Sequence, residues 1–274
     1  MRGYHLGLIG YGAIGRAVTA ACLAKQVCDA SMVAILVRDI LHYSSDRDVL
    51  RAQQIVLTDQ PNEFFSYTYD MVVEAAGQTA VKQYGARILG LGMDFMVTSI
   101  GAFTDEALYQ LLIQTAKVSH QKMYLVGGAL PGASWMQGAA LDNVNEVSIT
   151  QCKPVRSWQH TPAEHMINLD AISEPSCFFT GSARQAASLF QKSSNIAAML
   201  ALSTVGLDNT HVALVADPVK TLMETKIAFD GDAGKVRITW QSSPSEHNPS
   251  TSRDVPLNVI KAIRNIVSPV VLGV

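Results

Sequence analysis

Nine residues near the start of the chain, Gly7-Leu8-Ile9-Gly10-Tyr11-Gly12-Ala13-Ile14-Gly15, constrain the fold more than any other stretch. The apolar run from His5 to Ile9 reads as a strand, the glycines as a turn, and the Ala-rich run from Ala13 to Lys25 as a helix. Gly10, Gly12 and Gly15 have the G-x-G-x-x-G spacing of a dinucleotide-binding turn. Gly10 lets the chain turn tightly off the strand, Gly12 lets bare backbone approach a pyrophosphate, and Gly15 lets the helix pack close to the sheet. The helix start at Ala13 and Ile14 presents unpaired N–H groups and a partial positive charge to phosphates. Such spacing arises by chance in a chain with 19 glycines. The flanking strand and helix give it weight.

The 274 residues have room for one large domain or two moderate ones. A formal net charge of −2, with no run of like charges, argues against a nucleic-acid partner held by bulk electrostatics. The four cysteines, Cys22, Cys28, Cys152 and Cys177, lack metal-type spacing, so no metal is expected. Glycines and Arg16 interrupt any signal-peptide core, and no apolar run approaches transmembrane length. A reduced, cytoplasmic protein with no membrane partner is the expectation.

Short apolar runs at Ser31–Val37, Gln54–Leu57, Tyr69–Ala75, Phe95–Ile100 and Met123–Val126 read as strands. Thr79–Leu91 reads as a helix, and Thr104-Asp105-Glu106 caps another that runs to about Val118. This alternation predicts a parallel, doubly wound α/β sheet. Small residues at Ala76-Gly77, after the Tyr69–Ala75 run, permit close approach of a cofactor. Arg38-Asp39 closes the second strand where an adenosine ribose would lie. An acidic residue there suits a 2′-hydroxyl and an arginine suits a 2′-phosphate, so NAD and NADP both stay open.

Composition changes near Gly127, where a turn-rich loop leads to Ser134, read as the cap of a helix to Leu141. Val144–Cys152 alternates like a half-buried strand; Ser182–Phe190 and Asn195–Val205 read as helices, and His211–Ala216 as a strand. Two further strands flank Asp230-Gly231-Asp232-Ala233-Gly234, and Val255–Val267 has helical spacing. The second half is therefore α+β.

Several ordered motifs resemble the L-aspartate dehydrogenases. They are Gly10-Tyr11-Gly12-Ala13-Ile14-Gly15, Val72-Val73-Glu74-Ala75-Ala76-Gly77, Ser99-Ile100-Gly101-Ala102, Gly128-Ala129, and Lys153-Pro154 followed by Trp158 and Thr161-Pro162-Ala163-Glu164. Gly181-Ser182-Ala183-Arg184, Asn195-Ile196-Ala197-Ala198, Gly206-Leu207-Asp208-Asn209-Thr210, Ala216-Asp217-Pro218 and Asn248-Pro249-Ser250-Thr251-Ser252 continue the series. The resemblance implies a Rossmann domain at 1–126, to which a C-terminal helix within 253–274 returns, and a substrate-binding and dimerisation domain at 127–252. It also implies a homodimer using NAD or NADP, with hydride passing between the nicotinamide and the α-carbon of aspartate, iminosuccinate or a related amino acid or imine. Ala129 and Asn195 then correspond to residues that touch the cofactor; Asn195 also suits a helix cap.

The pattern breaks at the catalytic position. Counted from Ala216-Asp217-Pro218, Met223 stands where the family has asparagine and Thr225 where it has its catalytic histidine. Pro131-Gly132-Ala133-Ser134 likewise replaces an Ala-Ile-Asp-like run. A threonine hydroxyl does not titrate near neutral pH. An imine is already activated for hydride attack, so reduction without a strong acid stays open, as do a different amino- or keto-acid substrate and an inert dinucleotide-binding relative. Lys153, before a proline at a strand end, is a candidate substrate contact. Lys226 adjoins Thr225 but would face the opposite side of a strand. Arg184 in a first helical turn points to a specific partner. His160 and His165 read as surrogate acids or plain loop residues, and Trp158 as a pocket wall or core residue.

Overall fold

The computed structural model describes residues 3–126, 128, 130–191, 194–243 and 252–272. In chain order its elements begin with β1 (Tyr4–Ile9), α1 (Ala13–Leu23), β2 (Ala30–Leu36), α2 (Ser44–Ala52), β3 (Val56–Thr58), α3 (Pro61–Phe64), β4 (Met71–Glu74), α4 (Gln78–Gly90), β5 (Asp94–Val97), α5 (Glu106–Ser119) and β6 (Met123–Leu125). They continue with α6 (Ala133–Ala139), β7 (Val144–Pro154), β8 (Ser176–Ser182), α7 (Ala183–Leu189), α8 (Asn195–Ser203), β9 (Thr210–Asp217), β10 (Met223–Gly231), β11 (Gly234–Ser242) and α9 (Val255–Val267). The chain divides into two compact units, Met1–Gly128 with Val255–Val274, and Ala129–Asp254.

The strands of the first unit are short and nearly all apolar because both faces of their sheet are covered. Leu6, Leu8, Ile35, Val73 and Met96 are buried completely. The order is β3-β2-β1-β4-β5-β6 and every pairing is parallel, which is the Rossmann arrangement. The last helix, α9, belongs to this unit and packs on α1. Pro256 suits its first turn, and Val259 and Ile263 are wholly buried with Val18 and Cys22 in the same core. Burial of each such aliphatic side chain contributes about 1.5–3 kcal/mol. Within Thr104-Asp105-Glu106 the cap is Asp105, which accepts from the Leu108 amide at 3.2 Å.

The second unit is a five-stranded sheet of order β11-β10-β7-β9-β8, antiparallel except for β7 with β9. One face is apolar through Val147, Ile149, Val212, Leu214, Ile227 and Phe229, all buried. Helices α7 and α8 pack against β9. Ser182 caps α7 in a complete capping box with Gln185. Ser134 does not cap α6: the helix starts at Ala133 and the cap position is Gly132, whose φ of 73° favours glycine and sets the start earlier. Among the described residues no helix is long and apolar enough to cross a membrane.

Candidate active site

In the first unit a cleft of about 540 Å³ opens at the carboxyl ends of β1, β2 and β4. Gly10, Gly12, Arg38, Tyr43, Asp59 and Ala76 are among the residues lining it. This is the switch point of the strand order, where open parallel sheets bind ligands. Gly10 has a φ of +97°, and a Cβ there would lie 2.5 Å from the Ala75 carbonyl oxygen. A Cβ on Gly15 would lie 2.2 Å from the Gly10 carbonyl oxygen, so the helix sits tight on the turn. Gly12 differs: its Cβ would meet nothing within 4 Å. As the cap residue of α1 it brings no side-chain oxygen, and the first turn at Ala13, Ile14 and Gly15 carries no acid. Open amides over a cavity fit a pyrophosphate.

The cleft has a hidden support that sequence reasoning left without a role. Glu74, fully buried at the end of β4, accepts five hydrogen bonds. Its Oε1 takes the amides of Ala76 (2.8 Å) and Gly77 (2.7 Å) and the Ser99 hydroxyl (2.9 Å); its Oε2 takes the amides of Thr98 (3.2 Å) and Ser99 (3.0 Å). Burial pushes its carboxyl pKa up, and the hydrogen bonds oppose that rise. Gly77, at φ +117°, depends on this anchor. The signal in the sequence was an acid closing an otherwise apolar strand. Glu74→Gln turns an acceptor into a donor facing amides, and each unsatisfied buried group costs about 1–3 kcal/mol. Urea unfolding is expected to show a loss of at least about 2 kcal/mol, together with weaker cofactor binding by fluorescence titration; an unchanged midpoint would remove the anchoring role.

In the second unit three polar side chains interrupt the apolar sheet face. Gln151 and Lys153 alternate on β7, and Thr225 on β10 pairs directly with Gln151. All three are at most 8 % exposed. Directly paired side chains have Cβ atoms about 4.5–5.5 Å apart, with diagonal neighbours about 7–8 Å apart. The Lys153 Nζ lies 4.7 Å from the centre of the Trp158 ring, and burial lowers its pKa from 10.5 to about 8. Trp158 is wholly buried, donates from Nε1 to the Val215 carbonyl at 3.0 Å, and packs edge-on to Phe178 and Phe190. It is core and lysine wall together. The Gln151 Oε1 is buried and accepts no hydrogen bond from the described residues. Gln151 was legible only as a polar residue at an inward position of the alternation.

Several expected groups are engaged elsewhere. Lys226 is exposed on the other face of β10 and pairs with Glu224 at 3.4 Å. Arg184 makes a two-pronged ion pair with Asp208, at 2.8 and 2.9 Å, which is the partner its position called for. Asn195 is the first residue of α8, and Ser194 takes the cap position. His160 and His165 line a shallow pocket with Glu164 whose lining includes neither Lys153 nor Thr225. Ala129 lies outside the described residues.

The parallel sheet and its glycine-lined cleft define a dinucleotide-binding Rossmann unit. Residues 10–126 match the family described as "Homoserine dehydrogenase, NAD binding domain", and residues 135–266 match "Aspartate dehydrogenase, C-terminal". The L-aspartate dehydrogenase of Brucella anthropi is 38 % identical over 265 residues, 97 % of each chain. That of Serratia proteamaculans is 33 % identical over 262 residues, covering 95 % of this chain and 96 % of its own. The crystal structure of an aspartate dehydrogenase from Thermotoga maritima superimposes with a TM-score of 0.75 over 99 % of this chain and 100 % of its own, at 21 % identity. The chain belongs to the L-aspartate dehydrogenase family.

Proposed function

We propose that this enzyme interconverts aspartate and iminosuccinate, or a closely related amino acid and imine, with the first unit holding the dinucleotide and the second holding the substrate. The observation that carries this reading is the buried Gln151–Lys153–Thr225 group on an otherwise apolar face, within the segment matched to the aspartate dehydrogenase C-terminal family. When bound, the nicotinamide supplies or accepts the hydride at the substrate α-carbon. Gly10, Gly12, Ala13, Ile14 and Gly15, with Ala76, Gly77, Ala129 and Asn195, are the proposed cofactor contacts. Lys153 carries a proton at Nζ near neutral pH; in imine reduction it donates that proton to the substrate nitrogen, and in the reverse direction it takes it back. Its charge also suits a substrate carboxylate. The Gln151 Oε1 accepts from a substrate N–H, and Thr225, at the family histidine position, donates one hydrogen bond without titrating.

The assay is reduction of iminosuccinate, formed from oxaloacetate and ammonia, followed by nicotinamide absorbance with NADPH or NADH. Turnover with either supports the proposal. Retained cofactor binding without turnover overturns it and favours an inert dinucleotide-binding relative, the reading Thr225 itself supports; Thr225→His would then also stay silent. A homodimer is proposed as the assembly, on the family resemblance. Light scattering checks it. A reducing cytoplasm suits the four free cysteines.

A further inference from the structure

Arg38 follows Val37 at the carboxyl end of β2 and lines the 540 Å³ cleft beside Tyr43 and Asp59. It is exposed, and among the described residues it makes no hydrogen bond, ion pair or ring contact. The acids around it are committed. Asp39 accepts from the Leu41 amide at 2.9 Å through Oδ1 and from His42 Nδ1 at 3.0 Å through Oδ2, so its carboxylate folds back to start the short turn Ile40–Tyr43. Asp59 accepts from the Gln60 side chain at 2.8 Å and the Ile40 amide at 3.4 Å, with Arg47 near enough to offset its charge. Asp46 is held by both terminal nitrogens of Arg16, whose guanidinium lies 4.6 Å from the Tyr11 ring centre.

The sequence alone left Arg38 and Asp39 as equal candidates for the ribose. The local hydrogen bonds separate them. An acid at this corner would accept from a 2′-hydroxyl and repel a 2′-phosphate; a guanidinium presents a planar fork that fits phosphate oxygens. Here the neighbouring acid is turned into a cap and the cation is left on the cleft wall. We propose that Arg38 binds the 2′-phosphate of an adenosine dinucleotide, so that the chain selects NADP(H) over NAD(H). This rests on the first unit being the dinucleotide cleft.

The test is calorimetric titration of the full chain with adenosine 2′,5′-bisphosphate and 5′-AMP, alongside NADP⁺ and NAD⁺. The bisphosphate is expected to bind at least about tenfold tighter than 5′-AMP, with a gap that narrows as salt is raised. Arg38→Gln is expected to reduce the gap to about threefold or less, and Arg38→Lys to keep part of it. Circular dichroism confirms that each variant is folded, as expected for an exposed position. Equal binding of the two ligands by the unaltered chain, or a gap that survives Arg38→Gln, overturns the assignment. If NADP⁺ and NAD⁺ bind equally well, the assignment alone falls; if neither binds, the dinucleotide cleft falls with it.

Discussion

Replacing Lys153 by methionine is expected to lower kcat/KM for imine reduction by about 10²–10⁴-fold, the range typical of a lost general acid, while raising stability. Both effects have one cause. The ammonium is buried against Trp158 on an apolar sheet face, and desolvation brings its pKa from 10.5 to about 8. A shift of that size corresponds to roughly 3 kcal/mol of preference for the neutral form, which an apolar side chain of similar length removes. Below pH 8 the lysine is protonated in both the folded and unfolded chain, so the burial penalty is felt in full. Between about 8 and 10.5 the unfolded chain holds more protons than the folded one, so stability rises with pH through that window. The methionine variant should lose this rise.

In the proposed role of Lys153, the same pKa sets the activity profile: reduction would draw on its proton and is expected to decline as pH passes about 8, whereas oxidation of the amino acid would draw on the neutral amine and is expected to climb through the same value. Urea unfolding across pH 7–11 and initial rates in both directions check the two effects. A variant that keeps both the rate and the inflection would remove Lys153 from the chemistry and return it to a packing role.

The sequence was most legible where local chemistry and fold agree. The glycine turn, the parallel strands and α9 could be placed because apolar runs, turn residues and helical spacing coincide there. Helix α2 carries no sequence signal because Ser44–Ala52 is mostly polar and buries only Leu50, so no apolar stripe marks it. Strand β8 escaped because it lies at the edge of its sheet and its pairing with β9 slips between Cys177 and Phe179, which blurs any alternation. The site was legible in proportion to its dependence on backbone. Gly10, Gly12 and Gly15 announce themselves by spacing: Gly10 and Gly15 answer steric demands of the fold, and Gly12 leaves open space above the turn. Gln151 and Glu74 gain their meaning from partners distant in sequence: Thr225 on β10, 74 residues from Gln151, and Thr98 and Ser99 just after β5, 24 and 25 residues from Glu74. Strand pairing brings each set together, and a single sequence does not display it.

Two glycines of one motif are expected to respond to the same substitution in opposite ways. Gly10→Ala places a methyl group 2.5 Å from the Ala75 carbonyl oxygen and 2.8 Å from the Ala76 Cβ, at a φ of +97° that an L residue avoids. The obstacle is backbone on one side, so relief requires β1 to move away from the β4–α4 connection. The expected loss is on the order of 3 kcal/mol or more, from backbone strain and the clash together, seen as a lower denaturation midpoint even without cofactor. Gly12→Ala meets nothing within 4 Å and sits at a φ of −84°, which alanine adopts freely. Its fold should be unchanged or steadier by up to about 1 kcal/mol, through a less flexible unfolded chain. Its methyl group, however, points into the space that a pyrophosphate would need above the amides of Ala13 and Ile14. Cofactor affinity should therefore fall by at least about tenfold, equivalent to about 1.4 kcal/mol, with the unfolding curve intact. Equal stability losses at the two positions would mean that Gly12 is a packing glycine, and undiminished affinity in a folded Gly12→Ala chain would place the phosphates away from this turn.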